Sequence, residues 1–339
     1  MEKIIESYLS YLQNEEAFSD ETIFKYLANL KRIFNILKIN KVEQLRETVI
    51  NTRLLDEFWN EIQVGKILSE STRAGYLSAL KSFLKFCFKI EIIKDNVAEK
   101  IIMPKARMIY LEGLTNDEQK RLRTYIAQNL KTERDLRNAA LIMFLWGTAA
   151  RVSEMLRLNC HPDNYIYFHD ESIMSGDFFN EDGRIYVHIR GKGKRDRKII
   201  VPNDVLSYLN LYLHERKKKN EILFHNYHNR YSNNLRLTRM GAVNIVREIF
   251  EKCEINHQKG LITHALRHTA INTWIEKSIT DQQIITMTGH SSPEGLNLYH
   301  NRNKHLTDIF GDKAQSIINI NEPKLKKMEE LIKKRHSLQ

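Results

Sequence analysis

Disulfides, membrane spans and low-complexity tracts are what this sequence does without. It holds only three cysteines, Cys87, Cys160 and Cys253, far apart and odd in number, which argues against a disulfide framework and for a reducing compartment. No run approaches the roughly 18 apolar residues that a membrane span requires. The start, Met1 to Glu6, is charged and amphipathic and lacks the apolar core of a signal peptide. A cytoplasmic protein with no membrane partner is therefore expected. Glycines cluster at Gly191-Lys192-Gly193-Lys194, but the Walker spacing is missing and no helix follows, so a nucleotide phosphate loop is excluded. His225 with His228, and Cys253 with His257, are close pairs without a partner pair at zinc-finger spacing, so no metal site is expected.

What is present is positive charge and helical periodicity. The formal net charge is +11 over 339 residues. That excess suits a polyanion, because each neutralised phosphate releases counterions, though charge alone leaves a merely solvated excess open. A length of 339 residues is enough for two domains with separate cores, and the 42 % of apolar residues is ordinary for a globular protein.

Residues 1 to about 102 contain no proline and repeat apolar residues at helical spacing. Ile5, Tyr8, Leu9 and Leu12 begin a first helix. Ser19 is placed to cap a second, striped by Ile23, Tyr26, Leu27, Leu30, Phe34 and Leu37. Leu54 to Ile62 marks a third, and Ser71 is read as the cap of a fourth carrying Tyr76, Leu80, Phe83, Leu84 and Cys87. The aromatic stripe is expected to be core rather than a base-stacking platform. On the polar faces, Lys31, Arg32, Arg73, Lys81 and Lys85 are candidate phosphate contacts or solvated charges.

Periodicity fails from Asn96 to Gly113, and Pro104 to Arg107 reads as an extended basic linker whose Lys105 and Arg107 are further DNA-contact candidates. Thr115-Asn116-Asp117-Glu118 is a capping box that opens a new helix. The expected division is 1–107, a helical domain; 108–320, a mixed domain; and 321–339, a basic tail with helical spacing. Leu136 to Trp146 is apolar on most sides and should be buried. Arg151 follows it directly and is a candidate anion ligand, with Glu154 placed to orient it; a structural Arg–Glu pair is the alternative. Strands are expected at Tyr165–Phe168, Ile185–Ile189 and Lys198–Val201, the last two joined by a hairpin presenting Lys192 and Lys194. Residues 171–183 read as an exposed insertion. The fold class is thus mainly α with a small antiparallel β-sheet.

The stretch from His264 to Tyr299 carries the chemistry. His264 and Arg267 lie one turn apart and can face one point. His290 and Tyr299 follow. Arginine clamps phosphate through paired N–H donors, imidazole exchanges protons near neutrality, and a phenol oxygen can act as a covalent nucleophile. Together they suggest phosphoryl transfer from a phosphodiester to tyrosine.

These residues resemble the motifs of tyrosine recombinases of the phage-integrase superfamily, in the layout of the short Xer-type and mobile-element members. Arg151 with Ser153 and Glu154 matches the first-arginine motif. Lys192, in Gly191-Lys192-Gly193-Lys194-Arg195-Asp196-Arg197, matches the hairpin lysine. His264 and Arg267 match His-x-Leu-Arg, Gly289 and His290 match Leu-Gly-His, and Tyr299 falls at the nucleophile. Ala149 stands where the family usually has glycine, and Leu296 where threonine is common three before the tyrosine. The resemblance implies a two-domain architecture, a helical core-binding domain and a catalytic domain. It also implies catalysis without metal or nucleotide cofactors, on double-stranded DNA with paired half-sites. A homotetramer exchanging C-terminal helices, from residues 306–320, completes the expectation. Type IB topoisomerase-like relaxation, or a catalytically silent DNA-binding accessory factor, are the competing readings.

Overall fold

The computed structural model describes residues 2–40, 44, 68–104, 113–163, 176–191, 196–227, 235–256, 262–289 and 296. The chain divides into two compact units, Met1–Ile109 and Tyr110–Gln339. In the first, α1 (Glu2–Asn14), α2 (Asp20–Ile36) and α3 (Glu70–Lys89) pack around Tyr8, Leu12, Leu30, Ile33, Phe83, Leu84 and Cys87. The Tyr8 ring meets Phe83 edge-on at 5.1 Å, and its hydroxyl donates to Ser82 Oγ at 2.9 Å. The aromatics at these positions are core, as their spacing implied.

Ser19 does stand at the N-cap of α2, but it makes no side-chain cap bond. The cap of α3 is Ser69, not Ser71: Ser69 is extended (φ −64°, ψ 151°) and its Oγ accepts from Thr72 N at 3.2 Å. Ser71 lies inside the first turn, where its backbone is already helical. The third helix expected at Leu54–Ile62 lies outside the described residues.

The second unit begins with α4 (Asn116–Gln128), opened by the Thr115–Glu118 capping box, and α5 (Glu133–Thr148), opened by a second box at Thr132 and Asp135. Helix α5 is the axis of the larger core: Ala140, Leu141, Ile142, Met143, Phe144, Leu145 and Trp146 are all buried. A one-turn helix, α6 (Val152–Met155), follows immediately. The sheet is β1 (Phe178–Glu181), β2 (Arg184–Ile189) and β3 (Arg197–Ile200), antiparallel in that order. Register is set by alternation: Phe178, Ile185, Val187, Ile189 and Ile199 point inward. Among the described residues there follow α7 (Asn203–Glu215), α8 (Arg239–Lys252), α9 (Ile262–Glu276) and α10 (Asp281–Thr288). Helices α7 and α9 pack on α5. Among the described residues no helix is long and apolar enough to cross a membrane.

The exposed insertion expected at 171–183 is corrected over its described part. Residues 178–181 are strand β1, with Phe178 fully buried against Phe144. Asp177 is buried as well; its carboxylate accepts from Asn159 N at 2.8 Å and from Arg190 Nη2 at 2.9 Å. A Cβ on Gly176 (φ +62°) would sit 2.5 Å from the Asn159 carbonyl oxygen, so only glycine fits this entry turn. Polar composition hid the strand because one inward phenylalanine and one buried, paired aspartate suffice to dock it. The strand expected at Tyr165–Phe168 lies outside the described residues.

Candidate active site

Helix α5 ends on Ala149, a left-handed residue (φ 51°, ψ 20°) that turns the chain so that Arg151 becomes the N-cap of α6. Arg151 donates twice to Glu154, from its backbone N to Oε2 at 2.9 Å and from Nη1 to Oε1 at 3.0 Å. Its side chain keeps 40 % exposure, whereas that of Glu154 keeps 8 %. Burial alone would raise the Glu154 pKa. Hydrogen bonding and charge from Arg197, then from Arg151, hold it below the ordinary carboxylate value. Glu154 is therefore an anion at neutral pH and orients Arg151.

Arg267, on α9, is buried at 4 % exposure. Its Nη1 donates to the carbonyl of Ala149, and its Nη2 to the carbonyl of Thr288 at 2.9 Å. One guanidinium thus joins the turn that presents Arg151 to the last carbonyl of α10. His264 sits one turn before Arg267 and is half-buried. Its pKa lies below the usual imidazole value because of burial first, then the positive fields of Arg267, Arg151 and Arg239. The two candidate arginines therefore act on one imidazole, which stays neutral at pH 7 and able to accept a proton.

Helix α10 closes on Gly289, left-handed at φ 66°, whose N–H donates to Ile285 O at 2.8 Å. Leu296 is fully buried with Ala149, Ala270, Ile271, Trp274 and Ile284. The leucine in place of threonine thus fills an apolar cluster. Lys192, Lys194, His290 and Tyr299 lie outside the described residues, as do Lys105 and Arg107.

Arg197 has no role in the sequence reading. It opens β3, its side chain is 7 % exposed, and both of its terminal nitrogens bond Glu154. The available signal was strand alternation, which puts Arg197 on the inward face with Ile199. In the first unit Lys31, Arg32 and Lys85 are exposed, while Arg73 and Lys81 are partly buried. His225 belongs to the core. It is 2 % exposed, its Nε2 lies 2.7 Å from Asn220 Oδ1, and burial followed by Arg216 lowers its pKa to about 4. Among the described residues no group of three or more His, Cys, Asp or Glu could hold a metal. All three thiols are buried; burial pushes Cys87 up to about 12 and Cys253 up to about 11.

The Phage integrase family model matches residues 112–305, and the family's N-terminal SAM-like domain matches residues 5–89. The chain is 30 % identical over 310 residues to a tyrosine recombinase XerD of Chlorobaculum tepidum, covering 88 % of this chain and 91 % of that one. It is 26 % identical over 318 residues to the XerD of Oceanobacillus iheyensis, covering 91 % and 97 %. Its fold is similar to that of the XerH site-specific recombinase bound to palindromic difH (TM-score 0.60, 20 % identity, covering 90 % of this chain and 93 % of that one). It is similar also to a lambda integrase dimer bound to a core site (TM-score 0.59, 15 % identity, covering 94 % and 99 %).

The chain belongs to the phage integrase family. It is a tyrosine recombinase, an enzyme of DNA strand breakage and rejoining.

Proposed function

We propose that this recombinase cleaves duplex DNA at paired half-sites with Tyr299, and that Arg151 and Arg267 clamp the non-bridging oxygens of the scissile phosphate. The phenol oxygen forms a bond to phosphorus while the bond to the 5′-oxygen breaks, leaving a 3′-phosphotyrosine. Neutral His264 accepts the phenol proton, His290 adds a hydrogen bond, and Lys192 protonates the departing 5′-oxygen. Arginine could not do that last task, because it does not release its proton. A 5′-hydroxyl from a second strand then reverses the step and rejoins the DNA through a four-way junction.

The observation that carries this reading is the pair of hydrogen bonds that Arg267 donates to the carbonyls of Ala149 and Thr288. It holds the turn presenting Arg151 beside the helix end from which Gly289 and His290 follow. Leu296, buried in one cluster with Ala149, adds support, because Tyr299 follows it by only three residues in the sequence.

Residues 1–107 act as the core-binding domain and residues 108–320 as the catalytic domain, with Lys31, Arg32, Arg73, Lys81, Lys85, Lys105, Arg107 and Lys194 on the phosphate backbone. The fold shared with DNA-bound recombinases supports the two-domain reading. The working assembly is a cytoplasmic homotetramer on two sites, in which each protomer passes residues 306–320 to a neighbour. The deciding experiment traps the covalent adduct on a nicked suicide duplex, in excess EDTA, with Tyr299→Phe as control. An adduct on Tyr299 is expected; no adduct, or one that requires divalent ions, would overturn the scheme.

A further inference from the structure

From β3, Arg197 meets two other elements with one planar group. From the first residue of β3 it sends Nη1 to Glu154 Oε1 at 3.1 Å and Nη2 to Glu154 Oε2 at 2.8 Å. Its Nε donates to the carbonyl of Met287, on α10, at 2.9 Å. Glu154 accepts two more bonds from Arg151, so its two oxygens receive four donors, about the capacity of a carboxylate. Beyond the guanidinium lies Gly289, where an added Cβ would stand 3.0 Å from Nη1 and 3.2 Å from Cζ. Arg197 therefore has a wall on one side and fixed acceptors on the others.

We propose that Arg197 is a positioning residue for strand cleavage: through Glu154 it aims Arg151, and through Met287 it fixes the end of α10 that leads to His290. The proposal rests on the catalytic roles given above and adds to them a member that does not touch the DNA. A buried ion pair is poor evidence for a purely stabilising role, because desolvation offsets most of its attraction. What the pair supplies is geometry. Only a planar fork can satisfy both Glu154 oxygens and the Met287 carbonyl at once, whereas a lysine ammonium on a flexible stem cannot hold that arrangement. The base of the hairpin is tied in as well, since Arg197 pairs with Ile189, the last residue of β2, and Lys192 lies between the two in sequence. The Arg151–Glu154 pair, the paired ends of β2 and β3 and the end of α10 thus share one anchor. A misplacement of about 1 Å at such a centre costs on the order of 100-fold in rate.

The test is single-turnover cleavage of a suicide duplex by full-length Arg197→Ala, Arg197→Lys and Glu154→Gln proteins, and by the double variants. Duplex affinity and circular-dichroism melts are measured alongside. Expected are cleavage slowed about 100-fold in Arg197→Ala and comparably in Arg197→Lys, with affinity changed less than about threefold. Added guanidinium ion should recover part of the Arg197→Ala rate, which a general loss of fold would not allow. On the Glu154→Gln background the Arg197 changes should cost less than they do alone, because the route through Glu154 is already cut and only the Met287 bond is left to lose. Should Arg197→Ala fail to fold, Arg197→Lys carries the same cycle. Variants that cleave within threefold of the parent protein, or effects that multiply in full on Glu154→Gln, overturn the positioning role. Absence of a Tyr299 adduct in the unaltered protein would instead overturn the functional reading on which it rests.

Discussion

Ala149 occupies a backbone conformation that L residues avoid, at a cost of about 1–2 kcal/mol. Its methyl is fully buried with Trp274, Ile284 and Leu296, which offsets about 0.8 kcal/mol of that strain. The turn that aims Arg151 therefore tolerates alanine where the family usually has glycine, at the cost of a strained φ. Ala149→Gly is expected to shift stability by no more than about 1 kcal/mol. Ala149→Val, adding β-branching at positive φ inside a packed cluster, should cost at least about 2 kcal/mol. Urea melts at constant m-value measure both.

The second prediction at this scale concerns His264. Its folded pKa is depressed, so between that value and 6.5 the unfolded chain binds more protons than the folded one. The contribution is complete above the unfolded value near 6.5 and is lost as pH falls through the lower folded value. In the free protein the His264 ring should titrate below 6.5, and a bound duplex should move the midpoint upward as phosphate opposes the arginine fields. Nuclear magnetic resonance, with His264→Asn to assign the signal, measures this. A free-protein midpoint at or above 6.5 would contradict the arrangement of Arg151 and Arg267 around it.

At the level of elements, two arginines close one short helix. Arg197 takes the carbonyl of Met287 and Arg267 that of Thr288, at the C-terminal end where the helix dipole favours positive charge. Helix α10 spans only eight residues, so these external bonds and the Thr280–Gln283 capping box define its ends. Strand β1 depends on two anchors, the Phe178 ring within it and the paired Asp177 carboxylate just before it. Phe178→Ala should destabilise the catalytic domain by about 3–5 kcal/mol, the range for a buried aromatic. Hydrogen exchange should then show β1 amides losing protection before those of β2. Equal loss across the sheet would mean that β1 is not held by that ring.

On the scale of the whole molecule, two separate cores serve one strand-transfer chemistry. Removing residues 306–339 should abolish cooperative binding to paired half-sites while leaving binding to a single half-site within about threefold, because closed head-to-tail rings need a donated element. Gel-shift titrations on one-site and two-site duplexes measure this. Unchanged cooperativity would reject 306–320 as the exchanged helix.

Periodicity alone determined the helical class, the hydrophobic stripes of α1 to α3 and the capping box of α4, because burial and hydrogen bonding there are local in the chain. Alternation likewise placed β2 and β3, and motif spacing located Arg151, His264 and Arg267. The tertiary structure alone decided that residues 178–181 form a strand, since Phe178 docked on α5 outweighs the polar composition of the stretch around them. It also decided that Glu154 is shared between Arg151 and Arg197, a pair separated by 43 positions from carboxylate to guanidinium. No local pattern encodes that distance. A buried carboxylate must find its donors wherever the fold brings them, and here the fold brings them from a strand and from a helix cap.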